Sequence, residues 1–203
     1  DGELSAVTSR GSATMGFLEE NFGSGSYPEI VYVSANPNLS FIDATFHDRV
    51  HLWENHWDDD LNVVPPQAVT ESAAEMADRY PHKRIVVHYL QPHFPFIGET
   101  GQKMYESDHI QHFRDGRRFW AQLNETDVDT EMFKQAYREN LRLVLADAER
   151  LLEEIDGMTV VTSDHGNEFG RFGVYGHPGG TFLPNLVKVP WLEIKGERKE
   201  IIP

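Results

Sequence analysis

Short runs of apolar residues alternate along this chain with longer stretches in which apolar side chains recur every three or four positions. The short runs are rich in β-branched residues and predict strands at residues 30–33, 50–53, 85–90, 158–162 and 186–192. The longer stretches predict helices from Ser12 or Thr14 to about Phe22, over 67–80 and over 129–155. Strands that alternate with helices are typical of an α/β domain with a mostly parallel sheet.

The helix predicted over residues 129–155 has a single apolar face, and we expect that face to be buried. The residues on it are Phe133, Tyr137, Leu141, Val144, Ala148, Leu151 and Ile155. Gly157 ends the helix. Residues 158–162 then predict a fully buried strand whose carboxyl end carries Asp164 and His165. Between 98 and 126 the aromatic residues follow no regular period, so we expect a loop with short irregular helices.

Composition restricts the classes of protein to which the chain can belong. Its 203 residues, 39% of them hydrophobic, suit one domain over residues 1–203. The net charge of −15 disfavours nucleic-acid binding, and the one compact basic cluster, Arg114, Arg117 and Arg118, is interpreted as a solvated face. The acidic excess also suits folding at high salt, so a halophilic origin is a hypothesis. No apolar stretch reaches the roughly 20 residues of a membrane helix, which favours a soluble, cytoplasmic location; the oligomeric state stays open.

The chain has no cysteine, which excludes disulfides and thiolate ligands. A bound metal must therefore be held by imidazole, carboxylate and hydroxyl groups. Asp164-His165-Gly166 offers a carboxylate and an imidazole directly after a predicted strand, and the glycine leaves room for both to reach one ion. The alternative is a turn aspartate beside a hydrogen-bonded histidine.

Two further histidines lie in segments whose backbone is restricted by proline or freed by glycine. His93 stands between two prolines after a predicted strand, and His177 lies among glycines twelve residues beyond His165. Ligands in open α/β sheets gather at the carboxyl ends of strands, although an ordinary proline-rich loop is the alternative for His93. The remaining histidines are interpreted as structural or solvated, including His47, His51, His56, His88, His109 and His112.

The segment Ser9-Arg10-Gly11-Ser12-Ala13-Thr14 places hydroxyls and a guanidinium at the start of the first predicted helix. Backbone amides without partners and the helix dipole favour an anion or an alkoxide at such a place. The alternative is a simple N-cap by a serine or threonine hydroxyl.

In their order along the chain, these segments resemble the alkaline phosphatase/sulfatase superfamily, in particular its sulfatase-like members with an Asp-His-Gly-Glu-type motif. The resemblance covers residues 9–192. Its pieces are the helix start with its hydroxyls, Val33-Ser34-Ala35-Asn36-Pro37, the His93 segment, Tyr137-Arg138-Glu139-Asn140-Leu141, Val160-Val161-Thr162-Ser163-Asp164-His165-Gly166, Tyr175-Gly176-His177 and Val189-Pro190-Trp191. The fold that it implies is an alkaline phosphatase-like three-layer sandwich.

The activity implied by the resemblance is metal-dependent hydrolysis or transfer of phosphate or sulfate esters. The implied roles are Thr14 as nucleophile, with Ser12 in reserve; Asp164, His165 and Thr14 as metal ligands; and Arg10, His93 and His177 as contacts for the anionic ester or a second metal. Such a donor set favours manganese or zinc, with magnesium or calcium as alternatives. Without a cysteine, the usual formylglycine of sulfatases is not available in its common form, which favours phosphate chemistry.

One feature of the superfamily is missing. A further metal-binding aspartate normally comes from a strand ahead of the nucleophile, and neither Asp1 nor Glu3 follows an apolar run that could be this strand. We therefore expect an N-terminally incomplete member without its first strand. Glu168 stands one position after the family's usual glutamate, and no role is assigned to it. A non-catalytic domain with a binding or structural role is the alternative function.

Overall fold

The computed structural model describes residues 2–106, 130–197 and 199–203. In chain order, the elements of these residues are β1 (Gly2–Thr8), α1 (Thr14–Asn21), β2 (Ser26–Ser34), β3 (Thr45–His51), α2 (Pro66–Arg79), β4 (Arg84–His88), α3 (Glu99–Glu106), α4 (Thr130–Glu154), β5 (Thr159–Thr162), β6 (Glu168–Phe169), β7 (Tyr175–Gly176), α5 (Pro184–Val187) and β8 (Lys188–Ile194). Short 3-10 turns occur at Pro37–Phe41, Leu52–Glu54 and Arg171–Gly173.

A parallel sheet in the order β3-β2-β4 lies at the centre of the N-terminal part. The last five residues of β2 are buried, because a central parallel strand is covered on both faces. These three strands confirm the predictions at 30–33, 50–53 and 85–90, although β3 begins at Thr45 and residues 52–54 form a 3-10 turn. At the carboxyl ends of β2 and β4, Ser34 pairs with His88.

A second sheet, in the order β1-β8-β5, is antiparallel. β1 pairs along its whole length with β8, from Gly2 opposite Ile194 to Thr8 opposite Lys188. All seven residues of β1 are exposed, so no apolar pattern marks it, and it was not predicted. The prediction that residues 158–162 are fully buried is wrong, because β5 is an edge strand whose residues are partly buried or exposed. β6 and β7 form a small antiparallel pair.

The fold is therefore a mixed α/β fold with one parallel sheet, as the alternating pattern indicated. The expectation of a mostly parallel sheet fails for β1, β5 and β8, since their pairings are antiparallel. The three-layer sandwich stays a prediction.

The helices α1, α2 and α4 lie where the apolar spacing predicts them. The buried residues of α4 are Phe133, Ala136, Asn140, Val144 and Leu151. The predicted face was wrong at Leu141, which is 36% exposed, whereas Asn140 beside it is fully buried. Asn140 can occupy a buried position because its side-chain nitrogen and its side-chain oxygen are both hydrogen-bonded to backbone groups.

Alternation along β2 separates two apolar clusters. Tyr32 packs with Leu18 of α1 on one face of the sheet, while Val31 and Val33 pack against α2 on the other. A third cluster joins the loop after β4 to α3 and α4, and it contains Phe94, Phe96, Met104, Phe133 and Ala136. The start of α1 and the loop after β4 are thereby attached to the core at two different places.

Some sequence interpretations lie outside the described residues. They concern the basic cluster Arg114, Arg117 and Arg118, the histidines His109 and His112, and most of the stretch predicted to be irregular. Within the described ranges, none of the helices has the length and apolar character needed to cross a membrane.

Candidate functional site

Six polar side chains from separate segments meet near the carboxyl ends of β4 and β5. We call them the His/Asp cluster; its members are Thr14, His88, His93, Asp164, His165 and His177. Five of the six were named from the sequence as site residues, and the structure brings all five together. His88 is the addition.

Three side-chain atoms that could bind a metal lie within 3.4 Å of one another in this cluster. They are Oγ1 of Thr14, Oδ2 of Asp164 and Nε2 of His165. The hydroxyl of Thr14 donates to Oδ2 of Asp164 at 2.7 Å and lies 3.3 Å from Nε2 of His165. Oδ2 of Asp164 and Nε2 of His165 are 3.4 Å apart. The Asp164 side chain is 19% exposed and that of His165 is 10% exposed, so the three atoms are largely shielded from bulk water.

The hydroxyl of Thr14 does not cap helix α1 and is therefore available to bond to Asp164. Ala13 is the N-cap of α1 in an extended conformation, and no side chain caps the helix, so the N-cap interpretation of the hydroxyls is wrong. Thr14 is the first helical residue, beside amides that have no partner within the helix. Gly11 is needed in the preceding loop because a Cβ there would lie 2.2 Å from the amide nitrogen of Phe17.

Ser12 contacts a different part of the site. It is buried, its hydroxyl donates to the carbonyl of Pro178 at 3.0 Å, and it accepts the amide of Thr181 at 3.1 Å. Both partners belong to the loop that follows His177. Ser12 thus ties that loop to the start of α1, and its reserve role as nucleophile stays a prediction.

The orientation of Asp164 is determined by its own loop. Oδ1 accepts the backbone N–H of His165 at 2.9 Å, and the carbonyl of Asp164 accepts the hydroxyl of Ser9. The amide of Gly166 donates to the carbonyl of Leu186, and a Cβ on Gly166 would lie 1.9 Å from the carbonyl oxygen of Asn185. Glycine is therefore needed for close packing against α5, a reason other than the ligand room that the sequence suggested.

His177 lies between two other imidazoles. Its ring centroid is 4.2 Å from that of His165 and 4.9 Å from that of His93. His177 follows β7, and the glycine-rich loop after it is the one that Ser12 binds. The structure therefore brings His177 next to His165, twelve residues earlier in the chain.

Asn140 of α4 holds the loop that carries His93. Its Nδ2 donates to the carbonyls of His93 at 3.1 Å and Pro95 at 2.9 Å, and its Oδ1 accepts the amide of Ile97 at 2.8 Å. In the sequence, Asn140 is distinguished only as a member of the segment Tyr137-Arg138-Glu139-Asn140-Leu141. An amide at a position next to the predicted apolar face of a long helix was the signal that could have revealed it.

His88 belongs to the cluster, contrary to its interpretation as structural or solvated. Its Nε2 lies 3.8 Å from Oδ2 of Asp164, and its side chain is 13% exposed. Its Nδ1 lies 3.1 Å from the hydroxyl of Tyr32 in β2. Its place at the end of a predicted strand, five residues before His93, was the available signal in the sequence.

Burial and neighbouring charges shift the pKa values of the cluster. Burial lowers the pKa of His88 and of His93. Burial, assisted by His93 and His165, lowers the pKa of His177 to about 3. For Asp164, burial raises the pKa, but His165, His88 and hydrogen bonds to the carboxylate outweigh it and hold the pKa below its ordinary value. These shifts favour an ionised carboxylate at Asp164, the form that binds divalent cations, and neutral imidazoles at His88, His93 and His177.

Two other residues named from the sequence have partners or positions of their own. Arg10 is exposed, and its guanidinium donates to the carbonyl of Glu20 at 2.9 Å, so the structure does not bring it to the cluster. Glu168 is buried in β6 opposite Gly176, and its Oε1 has no hydrogen-bond partner among the described residues. No contact with the cluster assigns Glu168 a role.

The donor set fits a divalent cation if the hydroxyl of Thr14 is one of the ligands. Two of its three separations, 3.3 and 3.4 Å, are close to those between the ligands of a small cation, whereas the 2.7 Å between Thr14 and Asp164 is the length of a hydrogen bond. Those ligands lie roughly 3.3 Å apart when a tetrahedral ion has bonds of about 2.0–2.1 Å. Across residues 2–106, 130–197 and 199–203, no three His, Asp or Glu side chains are arranged to hold a metal, so a metal site here would need the Thr14 hydroxyl as its third ligand.

Comparison with known proteins yields a structural match. No protein-family model and no curated protein sequence matches the chain. The chain is similar to the C-terminal periplasmic domain of phosphoethanolamine transferase EptC from Campylobacter jejuni, with a TM-score of 0.52 and 14% sequence identity. The match covers 92% of this chain and 65% of that one, so the chain spans about two thirds of its length. At this identity the likeness shows the fold alone.

Proposed function

We propose that the chain is a metal-dependent transferase or hydrolase of phosphate esters with Thr14 as its nucleophile. The observation that carries the proposal is the 2.7 Å hydrogen bond from Thr14 to Asp164, beside His165 and at the start of α1. A hydroxyl at this place lies next to a carboxylate and to helix amides that favour negative charge. The fold shared with a phosphoethanolamine transferase domain supports phosphate as the group transferred.

A divalent cation held by Thr14, Asp164 and His165 would lower the pKa of the hydroxyl and offset the charge of the transferred group. Thr14 Oγ1 forms its bond to phosphorus as the bond from phosphorus to the ester oxygen breaks. The hydroxyl proton would pass to solvent, because the Asp164 carboxylate is held ionised, and Oδ2 of Asp164 would keep the Thr14 oxygen in position. Water or an acceptor hydroxyl then attacks the phosphothreonine and regenerates Thr14, which gives hydrolysis or transfer respectively.

His93 and His177 are the candidates for contact with the ester. Their pKa values are lowered by burial, so both are neutral imidazoles near neutral pH in the absence of substrate. An anionic phosphoryl group beside them raises those pKa values, because opposite charge favours the protonated form. In that state either imidazole can protonate the leaving oxygen.

The test compares Thr14→Ala with Thr14→Ser and with Thr162→Ala. The hydroxyl of Thr162 bonds to the carbonyl of Pro190 and takes no part in the cluster, so Thr162→Ala is the matched control. With manganese or zinc present, turnover of aryl phosphates and phosphodiesters should be lost in Thr14→Ala, retained in part in Thr14→Ser and unchanged in Thr162→Ala. Mass spectrometry should find phosphate on the Thr14 peptide. Equal turnover in Thr14→Ala, or turnover of aryl sulfates alone, would refute the proposal.

A non-catalytic binding domain is the second candidate. It is favoured by the finding that, in the part of the chain the structure describes, His, Asp and Glu side chains by themselves do not complete a metal site. Elemental analysis of the purified protein, combined with the same substrate panel, separates the two functions. A domain without metal and without turnover, even after metal is supplied, matches the binding role.

A further inference from the structure

We propose that Tyr32 is a positioning residue that holds His88 as the Nε2–H tautomer, with that N–H directed at the carboxylate of Asp164. The catalytic consequence rests on the proposed function, whereas the tautomer itself follows from contacts that exist with or without a reaction. Neither residue was identified from the sequence as part of the site.

Strand register brings the two side chains together. Tyr32 of β2 pairs with Val86 of β4, two residues before His88, so Tyr32 and His88 face the same side of the parallel sheet. Tyr32 is 1% exposed. Its ring lies among Phe22 and Phe46, with centroid distances of 5.6 and 5.3 Å, and has little freedom to move.

The hydroxyl of Tyr32 has Nδ1 of His88 as its only hydrogen-bond partner within the described part of the chain. A buried phenolic hydrogen needs an acceptor, and a neutral imidazole has one nitrogen that donates and one that accepts. If Nδ1 carried the hydrogen, Tyr32 would have to accept it, and its own hydrogen would be left without a partner. If Nδ1 is bare, Tyr32 donates to it and both groups are satisfied.

The other end of the imidazole favours the same tautomer. Nε2 of His88 lies 3.8 Å from Oδ2 of Asp164. A bare Nε2 would direct a lone pair at an ionised carboxylate, whereas an N–H there is attracted to it. At 3.8 Å this attraction is electrostatic rather than a formed hydrogen bond. The two ends of His88 thus select one state, and the buried phenol is the group that fixes it.

The consequence for the site concerns the oxygen that Thr14 uses. Oδ2 of Asp164 accepts the hydroxyl of Thr14 and faces Nε2 of His88, while Oδ1 is held by the amide of His165. Outer partners of a metal-binding carboxylate or imidazole orient the ligand, and their loss typically costs about 10–100-fold in metal affinity or activity. Tyr32 contributes to this orientation through His88.

Nuclear magnetic resonance tests the tautomer directly. In full-length protein labelled with ¹⁵N-histidine, long-range ¹H–¹⁵N correlations should show His88 with a bare Nδ1 and a protonated Nε2, assigned by the signals missing in His88→Gln. In Tyr32→Phe the His88 signals should move toward the other tautomer or an average of the two. A wild-type His88 protonated at Nδ1 overturns the proposal without any variant, as does an unchanged tautomer in Tyr32→Phe.

The matched control is Tyr27→Phe. Tyr27 packs in the same aromatic cluster, but its hydroxyl bonds to the carbonyls of Asn21 and Phe22 rather than to the site. Tyr32→Phe should lower kcat or manganese affinity about 10–100-fold with little change in KM, and Tyr27→Phe should change neither. A changed tautomer with unchanged kcat and manganese affinity refutes the positioning role. A correct tautomer in a wild-type protein that turns over no ester refutes the proposed function and leaves the tautomer assignment in place.

Discussion

Thr14 and Asp164 are 150 positions apart in the chain, and the hydroxyl of the first donates to the carboxylate of the second at 2.7 Å. Helix α1 supplies one partner, and the loop after β5 supplies the other. Each is supported by independent packing: Gly11 against α1 and Gly166 against α5. The Thr14–Asp164 hydrogen bond therefore depends on the assembly of both halves of the site.

Asp164→Asn should abolish stabilisation by a divalent cation, because the neutral amide replaces the one carboxylate of the donor set. A cation present at 100 times its Kd raises the free energy of unfolding by about 2.7 kcal/mol. Thermal unfolding followed by circular dichroism, with manganese or with chelator, should show this rise in the wild type. The exposed Asp59→Asn should behave like the wild type. A full rise in Asp164→Asn would contradict its assignment as a ligand.

Asn140→Leu should lower the free energy of unfolding by about 3 kcal/mol, since it leaves the carbonyls of His93 and Pro95 and the amide of Ile97 buried without their partner. Urea denaturation measures the change. Asn21→Leu removes a comparable bond, from Nδ2 to the carbonyl of Phe17, at an exposed position. That control should stay within about 0.5 kcal/mol of the wild type. Equal effects in the two variants would show that burial of Asn140 is not decisive.

Gly166→Ala should lower the free energy of unfolding by about 1–3 kcal/mol, the usual range for overpacking. The added Cβ would lie 1.9 Å from the carbonyl oxygen of Asn185, so the Asp164 and His165 loop must shift away from α5. We expect metal affinity to fall as well. Gly179→Ala lies in the loop after His177, where a Cβ meets nothing within 4 Å, and should leave both quantities unchanged. Wild-type metal affinity in Gly166→Ala would show that the loop need not hold this position.

Glu139→Gln should make the stability of the folded protein fall less as the pH is lowered. The Glu139 carboxylate accepts the amide and hydroxyl of Thr100 at 2.7 and 2.6 Å; burial raises its pKa, but these bonds outweigh it and hold the pKa below its ordinary value. The folded pKa is thus below the unfolded one. The contribution to stability is complete above the unfolded pKa of about 4.3 and is lost as pH falls through the folded value.

Melting temperatures of wild type and Glu139→Gln, measured from about pH 7 down to about pH 3, check this prediction. The difference in melting temperature between the two proteins should become smaller as the pH falls. The wild type then loses the stabilisation by the ionised Glu139 carboxylate, which the variant does not have. The exposed Glu149→Gln should follow the wild type throughout. A gap that stays constant over the range would show that ionisation of Glu139 does not stabilise the fold.

The parallel sheet could be predicted from sequence because burial on both faces forces apolar, β-branched residues such as Val31 and Val33 into a continuous run. β1 could not be predicted for the opposite reason. Its residues are exposed, and its strand character depends on β8, with Ser5 opposite Trp191. Pairing over such a distance leaves no local signal.

The residues of the site likewise fall into those that the sequence identifies and those that it does not. Thr14, Asp164 and His177 stand in segments whose glycines, prolines and order along the chain indicate chemistry. His88 lacks such a segment, and its place depends on a phenol 56 positions away. The orientation of the Arg10 side chain could not be predicted either, because its guanidinium donates a hydrogen bond to the backbone carbonyl of Glu20.

The pairing of β1 with β8 has a consequence for synthesis of the protein on the ribosome. β1 is synthesised well before its hydrogen-bonding partner at residues 188–194, since Ser5 and Trp191, which face each other, are 186 positions apart. Until then neither edge of β1 is paired with β8, and an unpaired strand edge is a template for association with other chains. The hydrogen bond from Thr14 can likewise form only after Asp164 has been synthesised. Nascent chains arrested before β8 should therefore be prone to association with other chains, and the sheet that contains β1 should form only after β8 has been synthesised.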